Sequence, residues 1–145
     1  MNLKAKFGID TLIFGMKQQD VTSIYGSPSK KFVDEEENII WLYDKQKLRL
    51  TFYMDEDFRL GYIICSNPDV SIGGQKILGQ SVQELKHSLA AHGYKTWEEE
   101  DFDMAVNHFN EANWIILQAE FGEVVKVELG AIINDNDEFD WKFKA

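Results

Sequence analysis

Three histidines, one cysteine and three runs of acids are the groups in this chain whose types could do chemistry. His87 and His92 stand five apart on a predicted helix, one residue beyond the spacing that brings two imidazoles to one metal ion. His92 adjoins Gly93 at the end of that helix, where an imidazole meets free carbonyl groups favourably. His108 falls in a predicted strand beside Phe109, with no acid or cysteine fixed next to it. Cys65 closes the apolar run Tyr62-Ile63-Ile64, the setting of a buried, inert thiol rather than a nucleophile. With one cysteine, no disulfide forms within the chain.

The acidic runs are Asp34-Glu35-Glu36-Glu37, Glu98-Glu99-Glu100-Asp101 and Asn134-Asp135-Asn136-Asp137-Glu138. The last lacks the alternate spacing, central glycine and terminal glutamate of a calcium loop. All three read as solvated loops. The first two are expected between strands one and two of two equivalent halves, rimming a surface that steers a basic partner. Gly73-Gly74 has no following Lys-Ser or Lys-Thr and is not a phosphate loop. No nucleophile elbow occurs. The expectation is a chain without catalytic residues, cofactor or metal.

The composition narrows the partners. Of 145 residues, 44% are hydrophobic and 13% aromatic, enough to build a core. The net charge of -10 offers no cationic surface to nucleic acid or to an anionic membrane, and it suits a basic protein. No apolar stretch approaches the roughly 20 residues of a membrane span. No signal-peptide core or lipid-bearing cysteine follows Met1, so the expected compartment is the cytoplasm.

The elements that must position these residues follow from periodicity. Ser81-Val82-Gln83-Glu84 is a capping box, and Val82, Leu85 and Leu89 share one face of the helix it opens. A shorter helix runs from about Lys17 to Tyr25 and is stopped by Gly26 and Pro28. Lys17 stands where Ser81 does, so this helix is expected to be the weaker. Alternating runs predict strands over 30–33, 39–44, 48–54 and 59–65, then over 94–98, 104–109, 114–120 and 124–132. Ile13-Phe14-Gly15-Met16 through Val21 matches Ile77-Leu78-Gly79-Gln80 through Leu85 at an offset of 64. The predicted organisation is one domain, 1–145. One repeat covers about 9–68, a second about 72–133, and a polar tail runs over 134–145 with Phe139, Trp141 and Phe143 in it.

The segment Phe14-Gly15-Met16-Lys17-Gln18-Gln19-Asp20-Val21, closed by Tyr25-Gly26-Ser27-Pro28, resembles the phrase that opens each repeat of the β-lactamase inhibitor protein-like fold. The resemblance covers about residues 13–132. It implies an α+β fold: two tandem helix-plus-four-stranded antiparallel units forming one curved sheet, with helices on one face. The namesake inhibitors grip an enzyme with the concave sheet face. The cytoplasmic members of that superfamily include proteins similar to immunity proteins against toxins, and charge and compartment place this chain among them.

Alternation then divides each strand between a helix-covered face and an open face. With Leu48, Leu50, Phe52, Ile115 and Leu117 inward, the open face carries Arg49, Thr51, Tyr53, Trp114, Ile116, Gln118, Lys126 and Glu128. The expected function is a non-enzymatic protein-binding module, an immunity protein that occludes a basic toxin domain. The alternative is a structural or homodimeric domain.

Overall fold

The computed structural model describes residues 1–144. The chain opens on three short strands, β1 (Asn2–Lys4), β2 (Gly8–Ile9) and β3 (Leu12–Ile13), and then the helix α1 (Gln18–Tyr25). Four strands follow: β4 (Lys30–Val33), β5 (Ile39–Tyr43), β6 (Leu48–Tyr53) and β7 (Arg59–Cys65). A small hairpin, β8 (Ser71–Ile72) and β9 (Gln75–Lys76), leads to the helix α2 (Val82–Ala90). Four more strands complete the sequence: β10 (Glu98–Phe102), β11 (Ala105–Asn110), β12 (Ile115–Glu120) and β13 (Glu123–Gly130).

The strands form two sheets. The larger has eight, in the order β10-β11-β12-β13-β7-β6-β5-β4, and every neighbouring pair in it is antiparallel. The smaller has five, in the order β3-β2-β1-β8-β9. Its centre is a parallel contact between β1 and β8, with Leu3 level with Ile72.

This architecture corrects the expected fold class. The chain is mostly β, with 42% of its residues in strands and 14% in helices, and it is not a pair of helix-plus-four-strand units with helices laid over one face. Geometry gives the reason. A helix of 8 or 9 residues is about 12–14 Å long, whereas eight strands span roughly 34 Å. Two such helices cannot cover the large sheet, and the small sheet contributes to the same core. One apolar cluster joins Leu3, Ile9 and Leu12 of the small sheet to Val21 of α1, to Val82, Leu85 and Leu89 of α2, and to Leu50, Ile63, Leu117 and Val127 of the large sheet. Each large aliphatic chain buried there contributes about 1.5–3 kcal/mol.

Local likeness between the halves does occur. The Gly15 N–H donates to the Leu60 carbonyl and the Leu60 N–H to Met16; the Gly79 N–H donates to the Val124 carbonyl and the Val124 N–H to Gln80. The likeness extends into the small sheet, where the β2–β3 hairpin pairs Ile9 with Leu12 as the β8–β9 hairpin pairs Ile72 with Gln75, but β1 has no counterpart in the second half.

The helix ends differ as their sequences differ. In α2 the Ser81 hydroxyl accepts from the Glu84 N–H at 3.3 Å, and three apolar side chains are buried. In α1 the Asp20 carboxylate accepts from the Lys17 N–H at 2.9 Å, and Val21 alone is buried.

One strand expectation is also corrected. The predicted strand over 94–98 lies at Glu98–Phe102, so the second acidic run is a strand rather than a loop. Its side chains are all exposed, and an edge strand needs only backbone pairing on one side, which acids permit. The first run, by contrast, is the turn between β4 and β5, where the Asp34 carboxylate accepts from the Glu36 and Asn38 N–H groups. The tail docks along the molecule. Ile133 bridges to Phe139, and the Phe143 N–H donates to the Phe14 carbonyl.

Candidate functional site

The outer side of the large sheet, opposite the core, collects the groups singled out from sequence. Register fixes its rows. One row runs Lys30, Leu42, Arg49, Ile64, Glu128, Ile116, Phe109, Glu98 across all eight strands. The next runs Lys126, Gln118, Asn107, Glu100. On the other side Phe32, Ile40, Thr51 and Tyr62 align, and Gly130 follows Tyr62. Basic groups therefore lie toward the β4 end of the face and acidic groups toward the β10 end.

Seven of the eight proposed contact residues, Arg49, Thr51, Tyr53, Ile116, Gln118, Lys126 and Glu128, share this face by register. Their neighbours Leu48, Leu50, Phe52, Ile115 and Leu117 are buried in the core. Trp114 lies in the turn before β12 and packs edge-on against Phe109 at 4.8 Å and Tyr62 at 5.5 Å. Of the eight, Arg49 is exposed and the others are half-buried.

The face is internally bonded. Tyr62 donates its hydroxyl to the Glu128 carboxylate at 2.5 Å, and burial, with that carboxylate beside it, pushes the phenol far above its ordinary pKa. Gln118 donates its amide to Asn107 Oδ1 at 3.1 Å. The Arg49 guanidinium lies over the Phe32 ring at 5.5 Å. Tyr53 packs on Phe139 of the tail, 5.6 Å between ring centres, and burial pushes its hydroxyl up to about 12.

Two depressions open on this side. One, of about 440 Å³, is lined by Leu42, Asp44, Lys47, Arg49, Ile64 and Lys126, among others. The second, of about 450 Å³, is walled by Phe109, Trp114 and Ile116 and rimmed by Glu98, Glu100 and Asn107. An apolar floor with acids at its lip suits the aliphatic stem and charged head of a lysine or arginine.

Sequence reasoning missed Phe109, Asn107, Glu98 and Glu100 as members of this face. The signal was present: β11 and β12 are joined by the short turn 111–114, which fixes the parity of Phe109 once Ile116 is placed outward. It also missed Phe121, which is 84% exposed with φ of 50° in the two-residue turn Phe121-Gly122 between β12 and β13. Such turns favour Asn-Gly, so a bulky ring held there in a left-handed conformation is costly and serves no packing purpose.

His108 is corrected too. It is 2% exposed on the core side, with Glu99 Oε1 at 3.3 Å and Lys86 Nζ at 3.0 Å from its Nδ1. The acid that no neighbour in sequence supplied comes from β10. Burial, followed by the charge of Lys86, lowers the imidazole pKa against the opposing pull of Glu99. The unfolded chain therefore takes up a proton below about pH 6.5 that the folded chain resists, and stability falls as pH drops through that window. The melting temperature is expected to fall between neutral pH and about pH 5, with a visibly flatter slope for His108→Gln. Equal slopes for both proteins would assign the acid sensitivity to other groups.

Cys65 is buried, and desolvation pushes its thiol up, away from reactivity. Among the described residues no three of His, Cys, Asp or Glu gather as a metal site, and no helix is long and apolar enough to cross a membrane.

No protein-family model matches the chain, and no curated protein matches it. Likeness is found among solved structures. An extracellular protein containing an SCP domain from Bacillus anthracis superposes over 81% of this chain and 43% of its own, with a TM-score of 0.52 and 10% identity. A cysteine-rich secretory protein from Staphylococcus aureus covers 87% of this chain and 48% of its own, with a TM-score of 0.50 and 11% identity. The chain spans less than half the length of both. At these identities the likeness is one of fold. A DUF4309 family protein from Bacillus subtilis gives a TM-score of 0.47 at 14% identity.

Proposed function

We propose that this chain is a non-enzymatic protein-binding module whose outer sheet face receives a basic partner. The observation that carries the reading is the second depression, where Phe109, Trp114 and Ile116 form an apolar floor beneath Glu98 and Glu100. Packed aromatics ringed by charge are the makeup of a recognition surface, with the rings as anchors and the acids as guides for approach. Occlusion of a toxin, as the resemblance to the inhibitor fold implies, is one form such binding takes. A purely structural or homodimeric domain is the second reading.

The test is affinity capture from the source cells with the wild-type chain as bait. Ile116→Arg places a bulky cation in the middle of the apolar floor and is expected to abolish retention of the partner. Asp135→Lys, in the exposed turn of the tail, is expected to retain it. Retention should weaken with rising salt, since steering between exposed charges is screened. A partner that survives Ile116→Arg but is lost with Asp135→Lys would move the site off the sheet face.

A further inference from the structure

The two free edges of the large sheet carry opposite charge, and we propose that they join: β4 of one copy pairs antiparallel with β10 of a second copy, continuing the sheet. This inference goes beyond the partner-binding reading, because it uses the edges of the sheet rather than its face.

Among the described residues both edges are unpaired, since β10 and β4 end the strand order. A free edge presents a row of unused backbone donors and acceptors and is a template for another strand. The β4 edge reads Lys30-Lys31-Phe32-Val33 and the β10 edge Glu98-Glu99-Glu100-Asp101-Phe102, and every one of these residues is exposed. Seven antiparallel steps separate the two strands, so they run in opposite directions. A copy set beside the first in the same orientation therefore presents β4 antiparallel to β10, the arrangement the sheet already uses.

Side-chain parity fixes the register. Lys30 and Phe32 point to the outer face, as do Glu98 and Glu100; Lys31 points to the core side, as does Glu99. Setting Lys30 opposite Glu100, Lys31 opposite Glu99 and Phe32 opposite Glu98 keeps both faces continuous and gives each lysine a carboxylate across the strand. Opposite charges set across from one another stabilise a strand pair, and like charges set across from one another destabilise it. Joining β10 to β10 would set acid against acid, and joining β4 to β4 would set lysine against lysine. Edge charges commonly keep sheets apart. Here they forbid the two symmetric pairings and leave the head-to-tail one, which propagates as a chain or closes as a ring.

Charge reversal tests the proposal with the full chain alone. One variant carries Lys30→Glu and Lys31→Glu, making both edges acidic. The other carries Glu98→Lys, Glu100→Lys and Asp101→Lys, making both edges basic and sparing Glu99 with its contacts to His108 and Lys86. Melting temperature checks that both fold. Sedimentation velocity over a concentration series should show the wild-type mass rising with concentration and each variant alone remaining monomeric. An equimolar mixture of the two variants should associate again, because each then finds its opposite edge. A wild-type chain that stays monomeric at millimolar concentration overturns the proposal. So does association that persists in either variant alone, or a mixture that fails to associate while both variants are folded.

Discussion

Gly61→Ala is expected to destabilise the protein by about 3 kcal/mol, a large loss for one methyl group. A Cβ at position 61 would lie 2.1 Å from Cε2 of Tyr53, so the ring must move. Gly61 is the extra residue at the bulge between β6 and β7, where Thr51 pairs with Tyr62 but Phe52 pairs with Leu60. The Tyr53 ring lies across it and is held from the other side by Phe139, which stacks on Trp141 at 4.7 Å. Swinging the tyrosine out would unstack the tail. The double variant Gly61→Ala with Tyr53→Ala is therefore expected to lose less than the two single losses added together, because the clash is gone. Denaturant unfolding of the four proteins measures the coupling. Additive losses would mean that Tyr53 moves freely. The Tyr53 ring thus packs between Gly61 and Phe139.

Trp114→Ala is expected to cost about 3 kcal/mol of stability. The ring packs against Phe109 and Tyr62 and closes over Gly130, where an added Cβ would meet Trp114 Cε3 at 3.2 Å. Its backbone holds φ of 51°, a left-handed conformation that disfavours any residue with a Cβ by roughly 1–2 kcal/mol. The two effects separate by substitution. Trp114→Ala loses the ring and keeps the backbone cost, whereas Trp114→Gly loses the ring and relieves that cost. The glycine variant is thus expected to be the more stable of the two by about 1 kcal/mol, against the usual order in which glycine is the worse. If alanine proves better, the left-handed turn is not what the aromatic cluster holds in place. Both variants should weaken partner capture, since both remove a wall of the acid-rimmed depression.

The parts of this chain that were legible before folding are those set by neighbours in sequence. The strands 30–33 and 59–65 have the bounds expected from sequence: in β7 the buried Ile63 and Cys65 alternate with the half-buried Tyr62 and Ile64, whereas all four residues of β4 are exposed. The inward set Leu48, Leu50, Phe52 and the outward set Arg49, Thr51, Tyr53 follow from the same parity. The cap of α2 was legible in Ser81 and Glu84, three residues apart. Strands of two residues carry no period to read, so β2, β3, β8 and β9 were missed. The acids of β10 were read as loop because hydrophobic alternation is the sequence signal for a strand, and an exposed edge strand has none.

Sequence by itself determined the charge of this protein, the existence and facing of its central strands, and the absence of a paired cysteine. Only the tertiary structure decided how those strands divide. The parallel contact of Leu3 with Ile72 joins positions far apart in the chain, and backbone hydrogen bonds, which any residue but proline can make, leave no local pattern to announce it. That contact joins the short strands into the small sheet, a second β layer that two helix-backed repeats would not have. Tertiary structure likewise brings Lys86 and Glu99 to the imidazole of His108, and the Glu128 carboxylate to Tyr62, from other elements of the chain. Charge and parity act along a strand and are written there. Which strand edges meet depends on the whole chain burying its apolar surface at once.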